Sequence, residues 1–79
     1  MNDTQRHAVS RMQRHIEVNI HKSITLKDLS KVSGYSPYHA ARLFKEATNY
    51  APFDYIRRMR LTHAAKTLRD HKTPVLNIA

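Results

Sequence analysis

The sequence has no cysteine, no tryptophan and one glycine among its 79 residues. Without cysteine, a disulfide framework and a cysteine-ligated zinc or iron–sulfur site are excluded. The lone glycine, Gly34, excludes a glycine-rich phosphate-binding loop. No apolar run approaches the roughly 18 residues that a membrane-spanning helix needs. Charges are spread through residues 1–20, so we expect neither a membrane segment nor a secretory signal peptide.

Acidic residues are also scarce. Six Asp and Glu stand against fourteen Lys and Arg, which gives a formal net charge of +8. This balance favours a polyanionic partner, most often nucleic acid. A hydrophobic content of 41% is too high for a disordered basic tail. The composition therefore predicts one small basic domain, and we expect it in the cytoplasm, associated with the nucleoid.

Helical periodicity runs through nearly the whole chain and predicts an all-α fold. We expect Asp3 or Thr4 to cap a first helix that ends at His21-Lys22-Ser23. The apolar positions of this helix recur about every four residues and are Ala8, Val9, Met12, Ile16 and Ile20.

The next two helices have clear start and stop signals. Thr25 and Asp28 resemble a capping box at the start of the second helix. Gly34 stands where a helix end needs a left-handed residue. Ser36 and Pro37 are a favourable N-cap and first helical residue for the third helix. The expected inward positions are Leu26, Leu29 and Val32 in the second helix and Ala40, Leu43, Phe44 and Ala47 in the third.

A fourth helix is predicted from Pro52 to about Arg69, with Asp54 in its first turn. Asn49 before it can take a left-handed cap. The predicted apolar positions of the fourth helix are Phe53, Ile56, Leu61, Ala64, Ala65 and Leu68. Both phenylalanines, Phe44 and Phe53, are expected in the core.

The chain ends on a second cap-plus-proline signal, Thr73-Pro74. Val75, Leu76 and Ile78 then indicate the start of a fifth helix, which is too short here to be stable by itself. We therefore divide the chain into residues 1–72, a first subdomain with its long helix, and residues 73–79, the start of a second unit.

Ser33, Gly34 and Tyr35 are the whole connection between the second and third helices. This spacing is typical of a helix-turn-helix, whose second helix enters the major groove of DNA. The recognition helix would be about Pro37-Thr48. On it, Arg42 can bind a guanine edge through its forked guanidinium, and Tyr38 can stack or contact a thymine methyl group. Lys45 can bind phosphates.

An alternative from the same pattern is a helical protein-interaction or dimerisation module with a solvated basic face. The amphipathic first helix would then pair with a partner helix or with a second copy of the chain. The hypothesis that this helix binds a membrane surface has less support, because the helix lacks Trp and Phe.

Several blocks of the sequence resemble the AraC/XylS family of bacterial transcription regulators. Residues 24–29, 34–39 and 42–45 are similar to the family's first helix-turn-helix. Residues 55–61, followed by Ala64-Ala65 and Leu68, resemble its linker helix, and residues 73–79 resemble the opening of a second helix-turn-helix. The blocks are Ile24-Thr25-Leu26-Lys27-Asp28-Leu29, Gly34-Tyr35-Ser36-Pro37-Tyr38-His39, Arg42-Leu43-Phe44-Lys45, Tyr55-Ile56-Arg57-Arg58-Met59-Arg60-Leu61 and Thr73-Pro74-Val75-Leu76-Asn77-Ile78-Ala79.

The resemblance implies a domain with two helix-turn-helix units that read successive major-groove segments. By the same comparison, we expect this chain to be truncated after the first unit and the linker helix. The resemblance implies base contacts by Tyr38, Ala41 and Arg42. It also implies contacts with the DNA backbone by Ser36, Lys45 and Arg57, and to these we add His39 and Thr25. Ala41 departs from the longer polar residue common in the family, and Asn49 replaces a commoner glycine.

Other kinds of site find little support. No two histidines are three or four residues apart, so no metal site is expected. The histidines are His7, His15, His21, His39, His63 and His71. Asp28, Glu46 and Asp54 read as capping or surface charges, and the Arg57–Arg60 cluster as a solvated face. We therefore expect no enzyme, no cofactor and no small-molecule ligand in this segment. The expected partners are double-stranded DNA, RNA polymerase and a second copy of the chain.

Overall fold

A computed structural model describes the backbone of residues 1–70 and the side chains of residues 1–65. Within that range the chain forms four α-helices and no strand, which confirms the all-α prediction. They are α1 (Asp3–Val18), α2 (Leu26–Ser33), α3 (Pro37–Thr48) and α4 (Pro52–Asp70). The predicted helix start at Thr73-Pro74 and the boundary before it lie outside the described residues, as does the side chain of Leu68.

The first helix is capped earlier than predicted. Asn2, rather than Asp3 or Thr4, is its N-cap, because its side chain accepts from the Gln5 amide while the Gln5 side chain accepts from the Asn2 amide. This reciprocal pair is a capping box. The helix ends at Val18, before the predicted His21–Ser23 stretch, with Asn19 as its C-cap.

The turn between α2 and α3 forms as the sequence predicts. Thr25 caps α2 in a capping box with Asp28. Gly34 ends α2 with a left-handed φ of 81°, and Ser36 caps α3 by accepting from the His39 amide. Asn49 ends α3 with a φ of 68°, a conformation that few residues other than glycine and asparagine adopt.

The core lies between α1, α2 and α3, and α4 is added through one side of its first half. The largest fully buried side chains are Phe44, Met12, Ile16 and Leu29. Phe44 meets Tyr55 of α4 edge to face, with ring centroids 4.9 Å apart. Burying a side chain of this size contributes about 1.5–3 kcal/mol to stability. Phe44 therefore joins α4 to the three-helix core.

Most of the predicted core positions of α4 are wrong. Phe53 is 50% exposed and Leu61 is 65% exposed. Ala64 and Ala65 are exposed as well. The side of α4 that packs against the rest of the chain is instead formed by Pro52, Tyr55, Ile56 and Met59.

The reason is that these four residues recur at helical spacing and form one packed side of α4, whereas the apolar residues off that side stay in solvent. Ala47 in α3 was also predicted to face inward and is exposed. None of the helices in residues 1–70 is both long enough and apolar enough to cross a membrane.

Candidate nucleic-acid interface

The exposed face of α3 carries the residues predicted to read DNA. Tyr38 is 71% exposed, Arg42 and Lys45 are exposed, and Ala41 is half-buried. Their spacing of three, four and seven residues from Tyr38 places all four on one side of the helix. The opposite side is fixed in the core by buried residues, namely Ala40, Leu43 and Phe44. The core therefore decides which side of α3 faces outward.

Arg42 is paired with a carboxylate on its own helix. Its Nε lies 3.6 Å from Glu46 Oε1, one turn further along α3. Both side chains remain more than half exposed, at 65% and 56%. Such exposed pairs contribute little to stability, because water and salt screen them.

The start of α3 is a connected group of polar side chains. Besides capping the helix, Ser36 Oγ lies 2.9 Å from His39 Nδ1, within hydrogen-bond distance. The rings of His39 and Tyr38 meet edge to face, with centroids 5.9 Å apart. All three residues are exposed. The two predicted phosphate contacts, Ser36 and His39, therefore lie next to a predicted base contact, at the end of a helix whose free amides attract anions.

Thr25, the predicted phosphate contact at the start of α2, is used in folding. Its amide donates to Asp28 Oδ2 at 3.0 Å, and its Oγ1 accepts from the Asp28 amide at 3.1 Å. The bonds from the Thr25 amide and hydroxyl group to the carboxylate hold the pKa of Asp28 below its ordinary value, the amide having the larger effect. Thr25 is exposed, so its end of α2 is accessible from solvent.

The arginines of the Arg57–Arg60 cluster are exposed, as predicted, but each makes a different contact. Arg57 is exposed and pairs with Asp54, with Nη2 2.8 Å from Oδ1. Arg58 lies over the Tyr50 ring, 4.3 Å from its centroid. Arg60 donates from Nε to the carbonyl of Ile20 at 3.0 Å, and from Nη2 to a second carbonyl, that of Lys22, at 2.8 Å. Arg60 thus joins α4 to the segment between α1 and α2.

Arg11 has a similar structural role that the sequence did not reveal. Its Nε donates to the carbonyl of Val32 at 2.8 Å and its Nη2 to the carbonyl of Ser33 at 3.1 Å. The last carbonyls of a helix have no partner within the helix. Arg11 of α1 supplies partners at the end of α2, immediately before the turn. No local pattern indicates this role, because the two carbonyls lie far along the chain from Arg11.

Two histidines that are far apart in the sequence lie close together in space. The rings of His21 and His63 meet edge to face, with centroids 6.2 Å apart, although the two residues belong to distant parts of the sequence. Within the described part of the chain, no three or more side chains of the metal-binding types come together.

Comparison with known proteins agrees with this geometry. A family described as "Helix-turn-helix domain" matches residues 29–79, which is more than half of the chain. The multiple antibiotic resistance protein MarA of Escherichia coli is 36% identical over 64 residues, covering 81% of this chain and 50% of MarA. The transposon Tn10 TetD protein of the same species is 42% identical, covering 81% and 46%.

The HTH-type transcriptional activator AarP of Providencia stuartii is 36% identical, with 81% of this chain and 47% of AarP covered. This chain spans about half the length of these relatives. No solved structure matches it. The matched helix-turn-helix and these relatives show that the chain belongs to the AraC/XylS family of helix-turn-helix transcription regulators.

Proposed function

We propose that this chain binds double-stranded DNA in a sequence-dependent manner for transcription regulation, with α3 lying in the major groove. The observation that carries the proposal is the exposed face of α3. Tyr38, Arg42 and Lys45 lie together on the face that the core leaves in solvent, directly after a tight left-handed turn. This is the placement of a recognition helix in a helix-turn-helix.

Each residue of the face has a distinct role in the proposal. Arg42 donates two hydrogen bonds to guanine O6 and N7, which discriminates among base pairs. Tyr38 and the half-buried methyl group of Ala41 contact base edges, where a thymine methyl group suits an apolar partner. Lys45, which makes no ion pair within the described residues, binds a phosphate and so adds affinity without sequence information.

Contacts with the flanking backbone fix the position of α3 in the groove. We assign them to residues at three helix starts: Thr25 at α2, Ser36 and His39 at α3, and Arg57 in the first turns of α4. Free amides at helix starts bind phosphate oxygens, and the helix dipole favours the negative charge. A protonated His39 would bind phosphate more strongly than a neutral one.

The proposal places the chain at the bacterial nucleoid, in the cytoplasm, and includes no catalytic step and no small-molecule ligand. Because one relative is named a transcriptional activator, we propose RNA polymerase as a protein partner of the DNA-bound form. A second copy of the chain would allow two half-sites to be read.

The test is a fluorescence-anisotropy titration of duplex DNA over a salt series, with sequences selected from a random pool compared with unselected ones. We expect dissociation constants of about 10⁻⁴–10⁻⁶ M for this chain, near the non-specific range, because one recognition helix buries little interface. Arg42→Ala should remove the preference between sequences. Lys45→Ala should weaken binding to all sequences alike and flatten the salt slope by about one unit.

A helical interaction module with a basic surface would behave differently. It would bind selected and random DNA equally, and Arg42→Ala would act no differently from loss of any other surface cation. Equal binding by the wild type, with no special effect of Arg42→Ala, would overturn the proposal.

A further inference from the structure

The carboxylate of Glu46 occupies a place on α3 that helix stability does not explain. It lies two residues before Thr48, the last residue of the helix, where the helix dipole disfavours negative charge. The pair with Arg42 also runs in the less favourable order, with the cation on the N-terminal side. A surface pair that stabilises its helix would have the opposite arrangement.

The position of Glu46 also matters electrostatically. The residue is exposed one turn from Arg42, so it would approach the same DNA as Arg42 does. A carboxylate is repelled by phosphates, and it competes with them for the guanidinium. Arg57, the other arginine assigned to the interface, is likewise paired with a carboxylate one turn away, at Asp54. Lys45 has no such partner within the described residues.

The atoms that form the Arg42–Glu46 pair show which nitrogens of Arg42 remain available to DNA. Glu46 approaches Nε of Arg42, which is the side of the guanidinium nearest the helix. The two terminal nitrogens, Nη1 and Nη2, then remain free to donate. These two nitrogens can bind guanine O6 and N7 end-on, as a planar fork. A single phosphate oxygen would gain less from a guanidinium whose charge is already partly neutralised.

We propose that Glu46 is a specificity-determining residue, which orients Arg42 towards a guanine edge and weakens its binding to phosphates. The proposal rests on the proposed DNA-binding function. Glu46 weakens binding to all DNA, and it weakens binding to unselected sequences most. On unselected sequences, no contact between Arg42 and a base offsets the repulsion between Glu46 and the phosphates. Specificity is a difference of affinities, and a group that penalises the wrong partner increases it.

The test compares the 79-residue chain with Glu46→Gln, Arg42→Ala and the double variant, on selected and random duplexes over a salt series. Glu46→Gln should raise affinity for random DNA by about threefold or more. Its salt slope should become steeper by about 0.9, because Arg42 is released to neutralise a further phosphate. The ratio of selected to random affinity should fall.

The matched control is Glu17→Gln, which removes the same charge from an exposed position on α1. Glu17 lies on α1, whose buried residues pack with the buried residues of α3, so it does not belong to the exposed face of α3. This control should leave the affinity ratio and the salt slope unchanged. In the Arg42→Ala background, Glu46→Gln should no longer change the slope. Circular dichroism should show the same helix content for all variants.

The outcomes separate this inference from the proposed function. If wild type prefers selected DNA and Arg42→Ala removes the preference, but Glu46→Gln leaves the ratio unchanged, the role of Glu46 is overturned and the function stands. If Glu46→Gln and Glu17→Gln act alike, a general charge effect replaces the specific one. If wild type shows no preference at all, both proposals fail.

Discussion

The two sides of α3 share one backbone and one set of caps, yet they are suited to different tasks. The inner side is apolar and fully packed, with Phe44 and Ala40 completely buried. The outer side is polar and carries Arg42 and Glu46, whose mutual attraction is weak in solvent. Substitutions on the inner side should therefore change stability, whereas those on the outer side should change binding and leave the fold intact.

The largest expected effect is that of Phe44→Ala on the inner side. It removes the ring that packs on Tyr55 and leaves a cavity, at a cost of about 3–5 kcal/mol. A chain of this length has a total stability of about 4–12 kcal/mol, at about 0.05–0.15 kcal/mol per residue. We expect much of the population to unfold, with a large drop in the urea midpoint followed by circular dichroism. Retention of the wild-type midpoint would contradict the assignment of Phe44 to the core.

The second largest effect on stability is expected at Gly34, in the turn that sets the orientation of α3. A Cβ added at Gly34 would meet no atom within 4 Å, so Gly34→Ala has no steric clash to relieve. Its cost is the left-handed φ of 81°, about 1–2 kcal/mol for an ordinary residue. Gly34→Asn should cost less, because Asn49 already adopts the same region in this chain. Urea denaturation of the two variants should rank them in that order.

Substitutions of Ser36 can separate its role in capping α3 from its role in DNA binding. Ser36→Ala removes the N-cap of α3 and should cost about 1 kcal/mol. Ser36→Asp keeps a capping oxygen, so its stability should match the wild type. The new carboxylate should nevertheless weaken DNA binding at all sequences, since it would face phosphates. Thermal unfolding and anisotropy on the same samples test both parts, and equal DNA binding by wild type and Ser36→Asp would argue against a phosphate near this cap.

The smallest effect concerns pH and the start of α2. The bonds from Thr25 lower the pKa of Asp28, so the ionised carboxylate favours the folded state. Its contribution is fully present above the unfolded pKa of about 3.9 and is lost as the pH falls through the lower folded value. Asp28→Asn should therefore be less stable than wild type at pH 7, and the difference should shrink in acid. A difference independent of pH, measured by urea denaturation from pH 2 to 7, would contradict this reading.

Local signals were sufficient for most of the fold. The capping box at Thr25 and Asp28, the glycine at the end of α2 and the Ser36-Pro37 start of α3 each act within one turn of helix, so the residue types alone indicate them. The cap of α1 was misplaced by one or two residues, although it is equally local. The signal was present, because Asn2 stands three residues before Gln5, the usual spacing of a capping box.

Contacts between distant residues could not be read in the same way. Periodicity indicated that α4 has apolar positions, but it could not show that neighbours cover only the Tyr55 and Ile56 side. Phe53 and Leu61 were therefore placed in the core wrongly. Arg57 was predicted to contact DNA, and it is exposed and paired with Asp54. The contacts of Arg60 with carbonyls about forty residues earlier were not predicted, because folding alone brings them together.

The candidate interface was predictable because exposure follows from the helix pattern. Once Ala40, Leu43 and Phe44 are assigned to the core, Tyr38, Arg42 and Lys45 must lie on the other side. Which of these residues touch bases and which touch phosphates stays a prediction. The pairing of Arg42 with Glu46 was not anticipated, although a spacing of four residues is a sufficient signal for it.

The sequence by itself determined the helices, their caps and the tight turn, because these depend on neighbours within a few residues. It also determined that one side of α3 is polar. The tertiary structure alone decided which side of α4 is buried and which arginines are bound to backbone carbonyls. Arg11 and Arg60 bind carbonyls that only folding brings near them, and no local pattern carries that information.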